Sequence, residues 1–135
     1  MRKIIFTLLS VLLVSCSLDS DLQPTTNPIA NWSLVQSIGG VSGTTSDFQT
    51  DQIVWTFDEV SGVLTVEHNT SGVSEALDPG TYDYTIENIA NANFIFINGV
   101  EYGSIIIGVS TFRIDQNITS DGSSVSDKFE YRFSR

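Results

Sequence analysis

From Asn31 onward, apolar and polar residues alternate with a period of two, the mark of strands with one buried face. In "TYDYTIE", Tyr82, Tyr84 and Ile86 share one face, and Asp83, Thr85 and Glu87 share the other. "IVWTF" groups Ile53, Trp55 and Phe57. "KFEYRF" sets Phe129, Tyr131 and Phe133 against Lys128, Glu130 and Arg132. Eight such runs are predicted, at 31–38, 52–58, 63–68, 81–87, 93–97, 100–107, 110–115 and 128–134. Asn98-Gly99 is the strongest hairpin signal in the chain. "DEVSG" and "GVS" join other neighbours over three to five residues, which forces sequential antiparallel pairing. An open meander of eight strands would leave two bare edges, and closure removes them. The predicted fold is therefore all-β: an eight-stranded antiparallel up-and-down barrel, with a two-sheet β-sandwich as the alternative. Gly103, in the middle of a run, marks an expected bulge. Three segments read as longer loops: Gly39 to Asp51, "NTSGVSEALDPG" and "QNITSDGSSVSD".

The first residues follow another pattern. Arg2 and Lys3 precede "IIFTLLSVLLV", an uncharged run of 11 residues. That is too short to span a bilayer, which needs about 20 apolar residues, and it fits the apolar region of a secretory signal. The run ends in Leu13-Val14-Ser15-Cys16, which resembles the bacterial lipobox. The resemblance implies cleavage before Cys16, with lipidation of its thiol and acylation, by palmitate or a similar chain, of the new amine. Several chains at ~0.8 kcal/mol per buried methylene hold a protein on a membrane. Cys16 is the only cysteine, so lipidation leaves no thiol for a disulfide or a nucleophile. The expected organisation is a cleaved lipoprotein signal peptide over 1–15, a lipidated tether over 16–29 and one barrel domain over 30–135. The tether is polar and carries two prolines. Its "LDSD" also looks like the short acidic export signals of surface lipoproteins in the Bacteroidota. The expected location is the bacterial cell envelope, on the periplasmic or surface face of the outer membrane.

The full chain has a net charge of −10. Loss of Arg2 and Lys3 with the signal leaves four basic and sixteen acidic residues, a net −12. Such an anion does not bind nucleic acid through charge.

The domain is similar to the lipocalin superfamily, and more narrowly to small lipocalin-like lipoproteins of the Bacteroidota. The likeness rests on "NWSL", "VWTFDEVSGVLTV", "LDPGTYDYTI", "NGVEYGSIII" and "DGSSVSDKFEYRF". Ala30 stands where lipocalins have the Gly of Gly-x-Trp, and the closing helix of that family has no counterpart here. The resemblance implies that Trp32 lies at the closed end of the barrel under an arginine, with Arg132 the best match and Arg135 the second.

Little else in the sequence points to chemistry. His68 is the sole histidine, and a zinc site needs three or four ligands, usually His or Cys. There is no Gly-x-Ser-x-Gly elbow. Asp58-Glu59 falls at a hairpin, where acidic residues form turns. In "DQNITSDGSSVSD", Asp115, Asn117 and Thr119 have EF-hand spacing, but Ser120 replaces the required Gly and the closing acid is missing. No catalytic residue, metal site or cofactor is expected. Asn31, Asn69 and Asn117 begin sequons that carry no meaning for a bacterial lipoprotein. The aromatics leave one functional opening. Trp55, Phe57, Tyr82, Tyr84, Phe112 and Tyr131, with Phe94 or Phe96, lie on faces expected to line the barrel. An eight-stranded barrel either fills with side chains or holds one small ligand. The expected function is a non-enzymatic, membrane-anchored binder of a small apolar or amphipathic molecule. The alternative is a filled barrel that binds another envelope protein through acidic loops.

Overall fold

The structure, a computed structural model, describes residues 29–72 and 76–135. The proposed signal, the tether up to residue 28 and Cys16 lie outside the described residues. Nine strands follow in order: β1 Ile29–Gly39, β2 Thr44–Asp47, β3 Ile53–Asp58, β4 Val63–His68, β5 Gly80–Ile89, β6 Ala92–Ile97, β7 Val100–Ile107, β8 Thr111–Asp115 and β9 Phe129–Ser134. No helix occurs among the described residues. From β3 to β9 each strand pairs antiparallel with the next, and β9 returns to pair with β1. The sheet therefore closes as an eight-stranded antiparallel barrel, with β2 as an additional strand.

β1 makes the closure possible because it is long enough to serve three partners. Its first part, Ile29 to Ser33, pairs with β3, and its last part, Gln36 to Gly39, pairs with β2. These two partners share one edge of β1. The opposite edge, Ser33 to Gly39, carries β9. The segment expected as a loop from Gly39 to Asp51 thus contains a short strand. The link from β2 to β3 is pinned where Phe48 N donates to Val35 O at 2.9 Å. Asp51, at φ 64°, also exchanges two 3.2 Å hydrogen bonds with Ser33.

The turns follow local chemistry. Asn98 and Gly99 both have positive φ, 51° and 76°, as a two-residue hairpin of primed type requires. Ala90 and Asn91 do the same between β5 and β6. Asp58 accepts hydrogen bonds from Val60 N and Ser61 N across the β3–β4 turn. These bonds to Ser61 and Val60 hold its carboxyl below the usual carboxylate range.

Gly103 sits at a bulge. The β6–β7 register shifts between Ile95 and Phe96, so Tyr102 has no opposite number on β6. Gly103 has φ 155°, and a Cβ there would lie 2.7 Å from Asp115 O. Only glycine fits a backbone packed this closely. The bulge changes the parity of β7: Ile105 and Tyr102 both join the interior cluster, although they stand an odd number of positions apart.

The interior is built from alternate residues of every barrel strand. Leu34, Ile53, Trp55, Leu64, Ile95 and Ile114 have no solvent exposure. β6 turns Ile95 and Ile97 into this core, so the barrel lining at that strand is aliphatic rather than Phe94 or Phe96. Phe94 is nevertheless buried on the other face.

Candidate functional site

Strand directions define two ends. At the entry end the described chain begins at Ile29, β3 finishes, β7 finishes and β9 finishes. The far end holds the β1–β2 hairpin and the longer β4–β5 and β8–β9 connections.

A chain of aromatic contacts runs between them. Trp32 meets Phe112 edge-to-face at 5.0 Å, and Phe112 stacks on Phe133 at 4.1 Å. Phe133 touches Trp55 at 5.0 Å, and Trp55 touches Tyr102 at 6.0 Å. Tyr102 stacks on Tyr131, and Tyr131 on Phe129. The far half is filled by the later members of this series, from Trp55 to Phe129, together with Ile53, Leu64 and Val66. Burial and the neighbouring Tyr131 hydroxyl push the Tyr102 hydroxyl well above the ordinary tyrosine range, so it stays protonated.

The entry half is not filled. A cavity of about 400 Å³ opens there, lined by Ala30, Trp32, Phe57, Tyr84, Ile86, Ile105, Ile107 and Phe112, with Glu59 and Arg135 at its polar margin. Its volume lies in the range of small-molecule sites, about 300–1,000 Å³. The chemistry is an apolar chamber with one cation and one carboxylate. Tyr84 is held above its usual pKa, first by burial and then by the nearby Glu59 and Asp58 carboxylates.

All six aromatics expected to line the barrel face its interior. Trp55, Phe57, Phe112 and Tyr131 belong to the buried cluster, and Tyr82 and Tyr84 pack against it. Only Phe57, Tyr84 and Phe112 of the six border the cavity. Trp55 and Tyr131 belong to the filled half, and the indole Nε1 of Trp55 is buried without a hydrogen-bond partner. Tyr102, Ile105 and Ile107 were not expected at the interior as a set, because strict alternation along "VEYGSIII" separates Tyr102 from the other two. Gly103 was the available signal.

The arginine over Trp32 is Arg135, not Arg132. The Arg135 guanidinium carbon lies 4.5 Å from the indole centroid, and its Nε donates to Val109 O at 2.9 Å. Arg132 points outward, donating to Glu130 at 2.6 Å and to Gln36 at 3.0 Å. The reason is parity. Tyr131 and Phe133 point inward, and position 135 continues their side of the strand while 132 lies on the other. The cavity also opens beside Trp32, at the end that the lipocalin resemblance would make the closed one.

The remaining polar candidates do not converge. Among the described residues no group of three or more His, Cys, Asp or Glu is placed to hold a metal. His68 is half-buried, and its Nε2 is buried without a partner. In the β8–β9 connection, Asp121 accepts from Thr119 Oγ1 at 2.6 Å and from Ser123 N at 2.9 Å. Those bonds hold its carboxyl down at about 2. The loop closes on itself through its hydroxyls, with Thr119 Oγ1 also accepting from Ser123 Oγ at 2.7 Å. It is tied to β7 where Ser120 N donates to Glu101 at 2.8 Å.

Geometry defines the class of molecule as a closed β-barrel, filled in one half and hollow in the other. Comparison with protein-family models, with curated proteins and with solved structures found no match to this chain.

Proposed function

We propose that this is a membrane-anchored lipoprotein of the bacterial cell envelope, held through Cys16, whose lipocalin-like barrel binds one small apolar or amphipathic molecule without chemical conversion. The observation that carries the reading is the cavity of about 400 Å³ in the entry half, walled by the rings of Trp32, Phe57, Tyr84 and Phe112 from four strands and by Ile86, Ile105 and Ile107. A barrel with no ligand to hold would gain by filling this space, since burial of apolar surface stabilises at about 25 cal/mol per Å². Arg135 and Glu59 at the margin suit the polar end of an amphiphile, while the walls suit its hydrocarbon. A filled barrel acting only through acidic loops is less well supported, because the filling stops halfway.

The test is titration of the protein with a fluorescent fatty acid in solution, in wild type and in Ile105→Phe. The larger ring occupies the chamber at a position with 4 % exposure. Saturable binding to wild type that weakens at least tenfold in the variant supports the reading, with circular dichroism confirming that the variant is folded. Equal binding by the two, or none by wild type, refutes it. Loss of palmitate labelling in Cys16→Ser, set against labelled wild type, tests the anchor separately.

A further inference from the structure

Of the nine large aliphatic side chains exposed among the described residues, five lie at the entry end and four, Val41, Val100, Ile118 and Val125, at the far end. Val60 in the β3–β4 turn is 82 % exposed and Val109 in the β7–β8 turn is 88 % exposed. Ile86, Ile106 and Ile107 are 40 %, 57 % and 56 % exposed. Ile86 and Ile107 also line the cavity, so on their side the apolar lining continues outward onto the rim, beside the polar margin of Glu59 and Arg135. Such continuity gives no advantage to a mouth that faces only water.

The chain outside the described residues bears on what covers the rim. β1 starts at this same end, with Ile29 paired to Asp58 beside the β3–β4 turn. Cys16 precedes Ile29 by only thirteen residues. Even fully extended, such a length reaches no more than about 3.6 Å per residue. Acyl chains on Cys16 would therefore keep the barrel within a short leash of the bilayer, and would pull from the side on which the rim lies.

We propose that the entry end is the membrane-facing end: the rim of Val60, Ile86, Ile106, Ile107 and Val109 rests in the lipid surface, and the cavity opens directly to acyl chains. This deepens the functional reading and rests on it for the anchor at Cys16. The cavity's ligand then comes from, or is delivered to, the leaflet beneath it, without crossing water. The lipid favoured is zwitterionic. The acidic Asp58, Glu59 and Glu87 outnumber Arg135 at this end, and the chain as a whole is strongly anionic, so docking depends on apolar contact and anionic lipid weakens it.

The experiment uses the full-length lipidated protein in phosphatidylcholine vesicles. Val109→Cys places a thiol at the rim, and Val41→Cys places one at the opposite end, where Val41 is 92 % exposed. Each is labelled with an environment-sensitive nitrobenzoxadiazole dye. The protein without either substitution serves as control, its Cys16 being blocked by lipid. The expected result is a blue-shifted emission at position 109, quenched several-fold more by tail-brominated phosphatidylcholine than emission at position 41. Equal quenching at the two positions, or stronger quenching at 41, overturns the orientation. A blue shift at 109 without quenching by bromine means that a second copy of the chain covers the rim, and also overturns it. Failure of the protein to sediment with vesicles overturns it through the anchor, and is distinguishable because label then appears on Cys16 of the control. Loss of fatty-acid binding in solution with the rim still quenched would remove the ligand and leave the docking intact.

Discussion

Gly103→Ala tests the structural reading where the backbone is most constrained. Two costs add there. The first is conformational: a φ of 155° is one that alanine rarely adopts, and forcing a residue into such a region costs about 1–3 kcal/mol. The second is steric. The new Cβ would stand 2.7 Å from Asp115 O, 2.9 Å from its carbonyl carbon and 3.0 Å from Gln116 Cα. These are backbone atoms of a paired strand, so relief means moving β8 away from β7, at about 1–3 kcal/mol for an overpacked interior. The sum is about 2–6 kcal/mol, a large part of the ~5–15 kcal/mol by which a domain is stable. Gly43→Ala supplies the control. Gly43 also has positive φ, 62°, but a Cβ there meets nothing within 4 Å. That change should cost only about 1–2 kcal/mol. Urea unfolding of residues 29–135 gives both values, followed by tryptophan emission because Trp55 lies against Tyr102. Equal losses in the two variants, within ~0.5 kcal/mol, would refute both the close approach of Gly103 to β8 and the bulge that depends on it.

Two further outcomes are expected. In double-mutant cycles with Trp32→Leu, Arg135→Ala should show a coupling of about 0.5–2 kcal/mol, whereas Arg132→Ala should couple by less than ~0.3–0.5 kcal/mol; coupling to Arg132 instead would reverse the assignment. Asp121 has a folded pKa of about 2 against an ordinary 3.8, so the unfolded chain binds the proton first, and its contribution is complete above pH 4 and lost as the pH falls through 2. Asp121→Asn should therefore flatten the stability profile between pH 4 and pH 2 and leave its slope above pH 5 unchanged, as acid titrations of unfolding would show.

The strands were legible because alternation is a local signal. All eight barrel strands keep their predicted bounds within two residues at each end; the largest differences are the start of the first at Ile29 and the end of the fourth at Ile89. β2 was not legible. "TTSD" is nearly all exposed and has no apolar face, so only its hydrogen bonds to β1 make it a strand. The Ala90-Asn91 turn was hidden for a similar reason, since alanine carries no signal for positive φ. Arg135 could have been found by extending the parity of Tyr131 and Phe133 past the strand end. The cavity could not. Its walls come from residues far apart in sequence, and empty volume depends on how their side chains meet across the barrel, which periodicity does not encode. What sequence alone could not supply was the difference between the two halves: the far half takes Trp55, Tyr102 and Tyr131 together, while the entry half spends its aromatics on the wall.

The pairing of β1 with β9 has a consequence for how the chain comes into being. Gln36 and Arg132 are bonded across 96 positions of sequence. A polypeptide delivered N-terminus first can pair β1 with β2 and β3 early, and β3 to β8 as each follows the last, but the second edge of β1 stays open until β9 arrives. Closure by such distant partners is slow, because the entropy of the long loop is lost before the contacts form. The barrel is thus a structure whose first strand waits for its last. Until β9 docks, the meander keeps two bare edges, and that single pairing removes both.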